Sequence, residues 1–486
     1  MKLSDLSDEQ WFQRLSGRRN AKLGQIDRLW NYYRGTQPLY YVARILAEQD
    51  ERFPALTINW CRKYVRSIDG RSILEGFGYV GQDSLDDTMQ TIMLRNEMDL
   101  EQSPNNVATL ATGESYAMVG PSDEGALITF ETPESMAVEI DPRSRRPIAA
   151  VKFWRTDQAL GPTDHGFDDQ AILLLPNADG TGSRLVEFEY GKPVNEKKQQ
   201  WMAGPAKLQS SPTIPVVPFL NNESAGRGES QMLDLIPLVD AANIVATSMM
   251  ASVLHHAMPR MLALNVAESL FMNEDGSINR EAVKSATGAL WIVPAETDEN
   301  GNVADKAPVP DVKQLPASDM RNFHETLSNL ARIGAGLCDL TPSDFGYGVS
   351  DNPPSAESIN ESKRERLLAI ERFNRQQGSR YERVMRLALA VEDKDPGARL
   401  IKSEFRNVAT PTKQSMADAA VKTFSSGISD LYQARVDYGY SPTTIAAMEE
   451  RESAAASDPA LASAVAELRA VRERATGVTS DPARGA

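Results

Sequence analysis

An uncharged stretch constrains the fold of this chain more than any other sequence feature. No charged side chain occurs from Ala241 to Pro259, and about 20 predominantly apolar residues suffice to span a membrane. Polar residues argue against a membrane span, and they are Asn243, Thr247, Ser248, Ser252, His255 and His256. We therefore predict a helix packed on most sides by protein, from about Glu229 to Met258, with Pro237 resetting it near its start.

A second helix is predicted after Pro316, with Ser318 as its N-cap and Asp319 in its first turn. Its apolar positions alternate in steps of three and four, as in a coiled-coil seam. They are Met320, Phe323, Leu327, Leu330, Gly334 and Leu337. This helix should lie along another helix, and we expect Ile244 and Ala251 of the uncharged helix to take part in the same packing.

Residues 341–355 form an acidic loop by composition, because they contain two glycines, three prolines, Asp344 and Asp351 but no basic residue. A helix of roughly 54 Å is predicted after the loop, from about Ala356 to Val391. It carries eight basic residues against five glutamates. We interpret these charges as a solvated face with i,i+4 pairs, with phosphate binding as the alternative. We place a kink at the polar patch 374–379.

The flanking regions read as a mixed α/β platform before the uncharged helix and a helical cap after the long one. Before it, helices are predicted near 1–35, 42–50, 60–68, 83–96 and 103–112. Six short strands between 113 and 191 then predict a mostly antiparallel sheet, and 212–219 is an extended connector. After the long helix we predict a strand at 400–406, helices near 412–425, 429–438 and 442–453, and a disordered end.

Residues 259–316 lie between the two core helices and look like a small inserted module. They hold nine acidic and five basic residues. Two strand candidates, PRMLALNV and ALWIVP, flank a helix predicted near 280–287. The pattern indicates a compact α/β insert at the tip of a helical hairpin.

Length, charge and cysteine content narrow the classes of protein. A chain of 486 residues with 41% hydrophobic content predicts about three domains. The net charge of -15 should repel nucleic acid at long range unless basic residues concentrate locally. Cys61 and Cys338 are far apart in sequence, which favours a reducing compartment over a disulfide framework. The first residues lack an apolar signal core, so we expect neither secretion nor membrane insertion.

Catalytic motifs are missing from the sequence. It has no P-loop, no GxGxxG, no HExxH and no Cys/His cluster with metal-binding spacing, and the segment 113–117 lacks the second glycine of GxSxG. Four histidines are present: His165, His255, His256 and His324. We expect no catalytic residue, cofactor or metal. A hydrolase with a site outside known motifs is the alternative.

Four segments in order resemble those of one family. They are LWNYYRGTQPLYY at 29–41, INWCRKYVRSIDGRSILEGF at 58–77, the proline-rich entry and helix at 214–250, and Pro-Ser-Ala-Glu at 354–357. By order and spacing over about residues 29–450, the chain resembles portal proteins of tailed bacteriophages, of the Gp6-like type found as head-to-tail connectors in siphophages.

The resemblance implies an α+β portal fold in a closed ring oligomer. Its parts would be an α/β wing at 1–228, a helical-hairpin stem at 229–258 and 317–340, and a small α/β clip at 259–316 inserted at the stem's tip. A tunnel loop at 341–355 would lead into a long kinked helix and a return strand to the wing at 356–406. A helical crown with a flexible C-terminal tail would occupy 407–486.

The resemblance also implies a function. A dodecameric ring at one capsid vertex of the virion would let double-stranded DNA pass during packaging and ejection, without sequence specificity. The terminase large subunit and then a head-completion or adaptor protein would bind the clip. Major capsid and scaffolding proteins would be further partners, with assembly in the host cytoplasm and no membrane. The tunnel loop would present Asp344, Phe345, Tyr347, Asp351 and Asn352, and its acidic residues would keep DNA from adhering.

The resemblance leaves one structural alternative, another component of the head-tail junction. Such a component should be much shorter and should lack the inserted hairpin.

Overall fold

The structure is a computed structural model, and it describes most of the chain. The described residues are 6–39, 57–82, 84–155, 169–177, 182–191, 200–209, 213–224, 226–257, 261–266, 290–294, 309, 311–314, 320–347, 356–409, 413–440 and 442–457. The chain divides into two compact units, Met1–Val408 and Ala409–Ala486. The predicted helices near 42–50 and 280–287 and the tail after 457 lie outside the described residues.

The N-terminal helix α1 (Asp8–Arg34) confirms the first prediction. It begins with a capping box, in which Ser7 and Gln10 exchange hydrogen bonds between side chain and backbone. It ends at Gly35, whose φ of 77° is left-handed. Its apolar face packs on a sheet, where the Phe12 ring stacks on Phe188 with the ring centroids 4.0 Å apart.

Three further helices precede the sheets, and all were predicted. They are α2 (Trp60–Asp69), α3 (Asp87–Arg95) and α4 (Met98–Thr112). The Asn59 side chain caps α2 by accepting from the Arg62 amide. The helix α4 begins five residues before the predicted start at 103, because Pro104 lies within its first turns, where a proline removes no helical hydrogen bond.

The strands of the first unit form antiparallel sheets. They are β1 (Leu74–Tyr79), β2 (Glu114–Ser122), β3 (Gly125–Glu131), β4 (Met136–Ile140), β5 (Pro147–Trp154), β6 (Gln170–Pro176), β7 (Ser183–Gly191), β8 (Gln200–Ala203), β9 (Lys207–Gln209) and β10 (Val216–Leu220). One sheet has the order β10-β2-β3. The other has the order β4-β5-β6-β7-β8, with β9 also paired to β7. The six strands predicted between 113 and 191 are confirmed, whereas β8 and β9 were not predicted.

The prediction of a connector at 212–219 is wrong, because β10 pairs with β2 from Val216 opposite Met118 to Leu220 opposite Glu114. Its prolines suggested an unpaired segment. A proline is tolerated in a strand that lies at a sheet edge, and β10 is such an edge.

The long helix α7 (Ala356–Val391) has the predicted bounds. It is followed by β14 (Ile401–Phe405), which pairs antiparallel with β1. The helix is unbroken through the polar patch where we placed a kink, so that patch has another role. At Gly378 an added Cβ would lie 2.5 Å from Ser403 Oγ, and Gln377 is buried and donates to the Leu220 carbonyl. The patch is where α7 meets β14 and β10.

The interpretation of the α7 arginines as a solvated face is wrong for several of them. Arg366 and Arg380 are buried, and Arg380 pairs with Glu223. Arg386 donates to the carbonyls of Gly397 (2.9 Å) and Arg399 (2.6 Å). These arginines bind segments far away in sequence, which i,i+4 reasoning does not detect.

The helical hairpin consists of α5 (Ile236–Ala257) and α6 (Arg321–Leu337) with a small sheet between them. In that sheet β11 (Met261–Val266) lies between β12 (Leu290–Pro294), which is parallel, and β13 (Asp311–Gln314), which is antiparallel. Both predicted strands are confirmed, and β13 was not predicted.

The predicted bounds of the hairpin helices need correction. The first helix begins at Ile236 rather than 229, because 229–235 forms turns and the Gln231 amide donates to the Leu110 carbonyl of α4. Pro237 therefore lies in the first turn, where a proline costs little. The second helix begins at Arg321 with Met320 before it, and ends at Leu337 rather than 340. Ser318 lies outside the described residues.

The uncharged helix α5 is held by polar contacts. By length and composition Ile236–Val253 could span a membrane, and it is the one such helix in the described part of the chain. Asn243 Oδ1 accepts from the Ile58 amide (2.7 Å), and Tyr32 of α1 donates to the Asp240 carboxylate (2.9 Å). One face of α5 is thus fixed against protein.

The second unit contains three helices: α8 (Lys413–Ser425), α9 (Leu431–Tyr438) and α10 (Pro442–Ser457). All three were predicted. The Asp430 side chain caps α9 by accepting from the Gln433 amide, and Gly439 ends this helix with a φ of 95°.

A carboxylate at the end of α7 ties that helix to α3 and β3, and it makes stability depend on pH. Burial alone would raise the pKa of Glu392, but hydrogen bonds from Arg95, Lys394 and the Ala126 amide outweigh it and lower the pKa to about 2. A folded-state pKa below the usual 4.5 means that the carboxylate stabilises the fold above about pH 4.5. This contribution is lost as the pH falls from about 4.5 to about 2.

We expect Glu392→Gln to lower the melting temperature at pH 7, with the deficit shrinking as the pH falls below about 4.5. Calorimetry of both proteins between pH 7 and pH 3 measures this. Glu371→Gln, at an exposed position of the same helix, is the control and should follow the wild type throughout. A Glu392→Gln deficit that is the same at pH 7 and pH 3 would rule the linkage out.

Candidate functional site

The segment after α6 is the candidate functional site, and it begins as a built turn. Asp339 has a left-handed φ of 51°, and the Leu340 amide donates to the Ala335 carbonyl (2.9 Å). A 3-10 turn at Pro342–Phe345 follows. The carboxylate of Asp344 accepts from the amide (3.0 Å) and hydroxyl (2.8 Å) of Thr341. We call residues 341–347 the base turn. The prediction of an irregular loop from residue 341 is corrected to that extent.

Two aromatic side chains fix the base turn to α2. The Phe345 ring stacks on Trp60 with the centroids 5.1 Å apart, and Tyr347 meets Trp60 edge-on at 6.2 Å. Phe345 is 6% exposed. Its side chain therefore lies in the core of its own subunit. Of the predicted loop residues, Phe345 and Tyr347 anchor the segment.

Asp344 is the predicted acidic loop residue that the structure describes. Its carboxylate lies 3.9 Å from the Lys63 ammonium of α2, and both side chains are partly exposed. Such an exposed pair contributes about 0–1 kcal/mol, so Asp344 keeps most of its influence as a charge. Sequence reasoning missed Lys63 because it lies far from the loop along the chain. Asp351 and Asn352 lie outside the described residues.

Arg366 of α7 joins the base turn to the rest of the unit. Its guanidinium donates to the Cys338 carbonyl at the end of α6 (3.2 Å) and to the Tyr64 carbonyl of α2 (3.1 Å). It also bonds the Ser67 hydroxyl and lies over the Tyr64 ring at 5.0 Å. Burial lowers the pKa of Arg366, yet arginine stays protonated in proteins. One buried cation thus connects three helices directly behind the base turn.

The predicted packing face of α6 is partly as expected. Leu327 and Gly334 are buried, while Met320, Phe323 and Leu330 are half-buried. A Cβ at Gly334 would lie 3.2 Å from Leu235 and 3.3 Å from Phe345. The remaining predicted residues are more open in the single chain: Ala251 is half-buried, and Ile244 and Leu337 are exposed. The buried face also includes Ala331, Ala335 and Cys338.

An enzyme site gains little from the described residues. A cavity of about 670 Å³ lies beside α1, but its charged lining is paired, with Arg14 and Arg18 on Glu139 and Lys22 on Glu114. His324 is exposed on α6. Within the described part of the chain, no three His, Cys, Asp or Glu side chains could hold a metal ion.

The two cysteines are free and buried beside the base turn's supports. Burial raises the pKa of Cys61 and of Cys338 to about 12. A thiol reacts as its thiolate, so neither cysteine has the character of a nucleophile.

Two curated proteins are similar to this chain over most of its length. The portal protein of Mycobacterium phage D29 is 27% identical over 400 residues, which cover 79% of this chain and 76% of that protein. The portal protein of Mycobacterium phage L5 is 25% identical over 402 residues, with the same shares covered. The chain belongs to the phage portal proteins. Portal proteins are components of the phage particle.

Other comparisons add less to the portal assignment. A scan against models of protein families finds no match. Among solved structures, the neck of a native GTA particle computed with C12 symmetry has 15% identity and a TM-score of 0.38, covering 85% of this chain and 93% of that chain. The neck of an empty GTA particle computed with C6 symmetry has 12% identity and a TM-score of 0.39, covering 83% and 94%. These TM-scores are too low to define a shared fold.

Proposed function

We propose that copies of this chain form a closed ring at one vertex of the phage capsid, and that double-stranded DNA passes through the ring during packaging and ejection. The similarity to two portal proteins over 79% of the chain carries this proposal. The hairpin of α5 and α6, with a small sheet between them, supports it as the stem and clip of a portal subunit.

The partners follow from the same assignment. The terminase large subunit would bind the clip, residues 259–316, during packaging, and a head-completion or adaptor protein would replace it. The wing, residues 1–228, and the crown, 407–486, would contact major capsid and scaffolding proteins. Pairing of β14 with β1 supports the inclusion of 401–405 in the wing.

The segment 341–355 would border the channel. A loop close to moving DNA needs a fixed base, and the base turn has one in Trp60 and Arg366. It also needs to avoid phosphate contacts, because each contact adds salt-dependent affinity. The segment contains Asp344 and Asp351 and no basic residue.

Lysines at both acidic positions test this role. In the double variant Asp344→Lys, Asp351→Lys, rings should assemble, but packaging or ejection should slow several-fold because each subunit would attract phosphates. The effect should weaken at high salt. The rate of DNA uptake into empty heads, with electron micrographs of the same rings, measures both parts.

A matched control separates charge from folding of the base turn. Asp344→Asn removes the charge but keeps an oxygen that can accept from Thr341, so it should leave both assembly and rate close to the wild type. DNA uptake by the double lysine variant at the wild-type rate, in intact rings, would exclude a repulsive channel segment.

The ring itself is tested by the mass of the purified protein in light scattering, with negative-stain images of the same peak. One chain is 53.4 kDa, so twelve chains give about 640 kDa. A mass near this value and rings with a central hole are expected. A compact dimer without rings would contradict the proposal.

A further inference from the structure

The second unit exposes an unusual number of large apolar side chains. Seven of them lie on α8, on α9 and in the turns that follow these helices, and each is at least 38% exposed. They are Val421, Phe424, Ile428, Leu431, Tyr432, Val436 and Tyr440. Ile428, in the turn between the helices, is 79% exposed. Single exposed apolar residues are common, but a contiguous set of this size marks an interaction surface.

The buried positions of the same helices hold small side chains. Ala420 of α8 and Ala434 of α9 are buried, as is Ile445 of α10, and the Met416 side chain reaches Gly439 at about 3.8 Å. Small residues at the contact let α8 and α9 pack closely. The large apolar residues are therefore not needed for that contact, and they face outward.

These outward residues form two separate edges. Tyr432 and Val436 lie two residues before and after the buried Ala434, which places them about 200° around α9, on its outer face. Val421 and Phe424 are three residues apart on α8 and lie to one side of the buried Ala420. The helix pair thus carries an α8 edge and an α9 edge.

The exposed area is large enough for a stable contact. With aromatic and large aliphatic side chains of about 150–250 Å², the seven residues leave on the order of 600 Å² of side chain in water. This approaches the roughly 800 Å² per partner of a standard protein interface. A contact of this size requires a folded partner surface of similar character.

We propose that the partner is a second copy of this chain, with the α8 edge of one subunit packed on the α9 edge of the next. The inference rests on the proposed ring. A closed ring uses head-to-tail contacts between two different surfaces of each subunit, whereas a two-fold dimer uses one surface twice. Two apolar edges on one helix pair meet the requirement of a ring.

Site-specific photo-crosslinking of the assembled full-length protein tests the contact. Tyr432 is replaced by p-benzoylphenylalanine, and particles assembled from a mixture of ¹⁴N- and ¹⁵N-labelled chains are irradiated. Crosslinks between light and heavy chains that join α9 to α8 are expected. Gln433, exposed on the neighbouring polar side of α9, is the matched control and should give several-fold fewer crosslinks.

A second variant tests the energetic role of the edges. Phe424→Glu with Val436→Glu should make rings dissociate to smaller species at protein concentrations where the wild type stays assembled, with little change in the melting of the first unit. Rings whose Tyr432 crosslinks stay within one chain, or reach only residues 1–408, would overturn the contact and leave the ring intact. A wild-type protein that forms no ring would overturn the ring and this inference together.

Discussion

Replacing Gly228 with alanine is expected to prevent the first unit from folding to its native state. A Cβ at this position would lie 1.8 Å from the Gly113 carbonyl oxygen and 3.3 Å from the Asn221 amide nitrogen. Both are backbone atoms, and a backbone cannot rotate away as a side chain can. Overpacking usually costs about 1–3 kcal/mol, and a clash with a crossing backbone should exceed about 4 kcal/mol, which is exceptional for one substitution.

This crossing matters because it fixes the entry to the helical hairpin. The Asn221 amide donates to the Gly113 carbonyl (2.9 Å), and the Ser230 hydroxyl donates to the Ala111 carbonyl (2.6 Å). The strand β10, the end of α4 and the approach to α5 therefore meet within a few residues. A shift here would displace α5 and with it the base turn.

Soluble yield and calorimetric melting measure the effect of Gly228→Ala. Gly17→Ala is the matched control, because Gly17 lies inside α1 with nothing within 4 Å of its added Cβ. There the same substitution should stabilise by about 0.5–1 kcal/mol, since alanine is the better helix residue. A Gly228→Ala protein that melts within about 2 °C of the wild type would contradict the reported crossing.

Replacing Arg366 with alanine should lower the free energy of unfolding of the first unit by about 3–5 kcal/mol. The guanidinium is 6% exposed, and its removal leaves the carbonyls of Cys338 and Tyr64 and the Ser67 hydroxyl without their donor. A buried polar group without a partner costs about 1–3 kcal/mol. The base turn should loosen as well, because Cys338 directly precedes it.

Two variants sharpen the test of Arg366. Arg372→Ala, at an exposed position of the same helix, should change stability by no more than about 0.5 kcal/mol. Arg366→Lys keeps the charge but cannot reach all three acceptors with a planar fork, so its loss should fall between those of the two alanine variants. Denaturant unfolding followed by tryptophan fluorescence reports on Trp60 beside the base turn. Equal losses for Arg366→Ala and Arg372→Ala would show that Arg366 does not hold the helices together.

Much of the fold could be predicted because its signals are local. Apolar periodicity located α2 and the strands from β2 to β7, and Pro354 with the following helical pattern located α7. Other features depend on partners distant in the sequence. Gln231 bonds Leu110, so the turns before α5 do not read as turns. Pro218 suggested a break, but the edge position of β10 accommodates it.

The candidate site was less predictable than the fold. The position of residues 341–355 between two helices and their acidity followed from composition. That Phe345 is buried on Trp60 did not, because the two residues are far apart in the chain. Arg366 resembled its exposed neighbours on α7, and only its three acceptors distinguish it. Helical periodicity gives the face of a residue, not the charge of what lies opposite.

The most direct test is a cryo-electron microscopy reconstruction of the assembled protein, computed without imposed symmetry. Our account predicts a closed ring in which the base turn of every subunit, Thr341 to Tyr347, lies beside the central hole. A ring whose base turns lie on the outer wall would contradict the assignment of the channel segment. Particles that form no closed ring would contradict the portal function proposed for this chain.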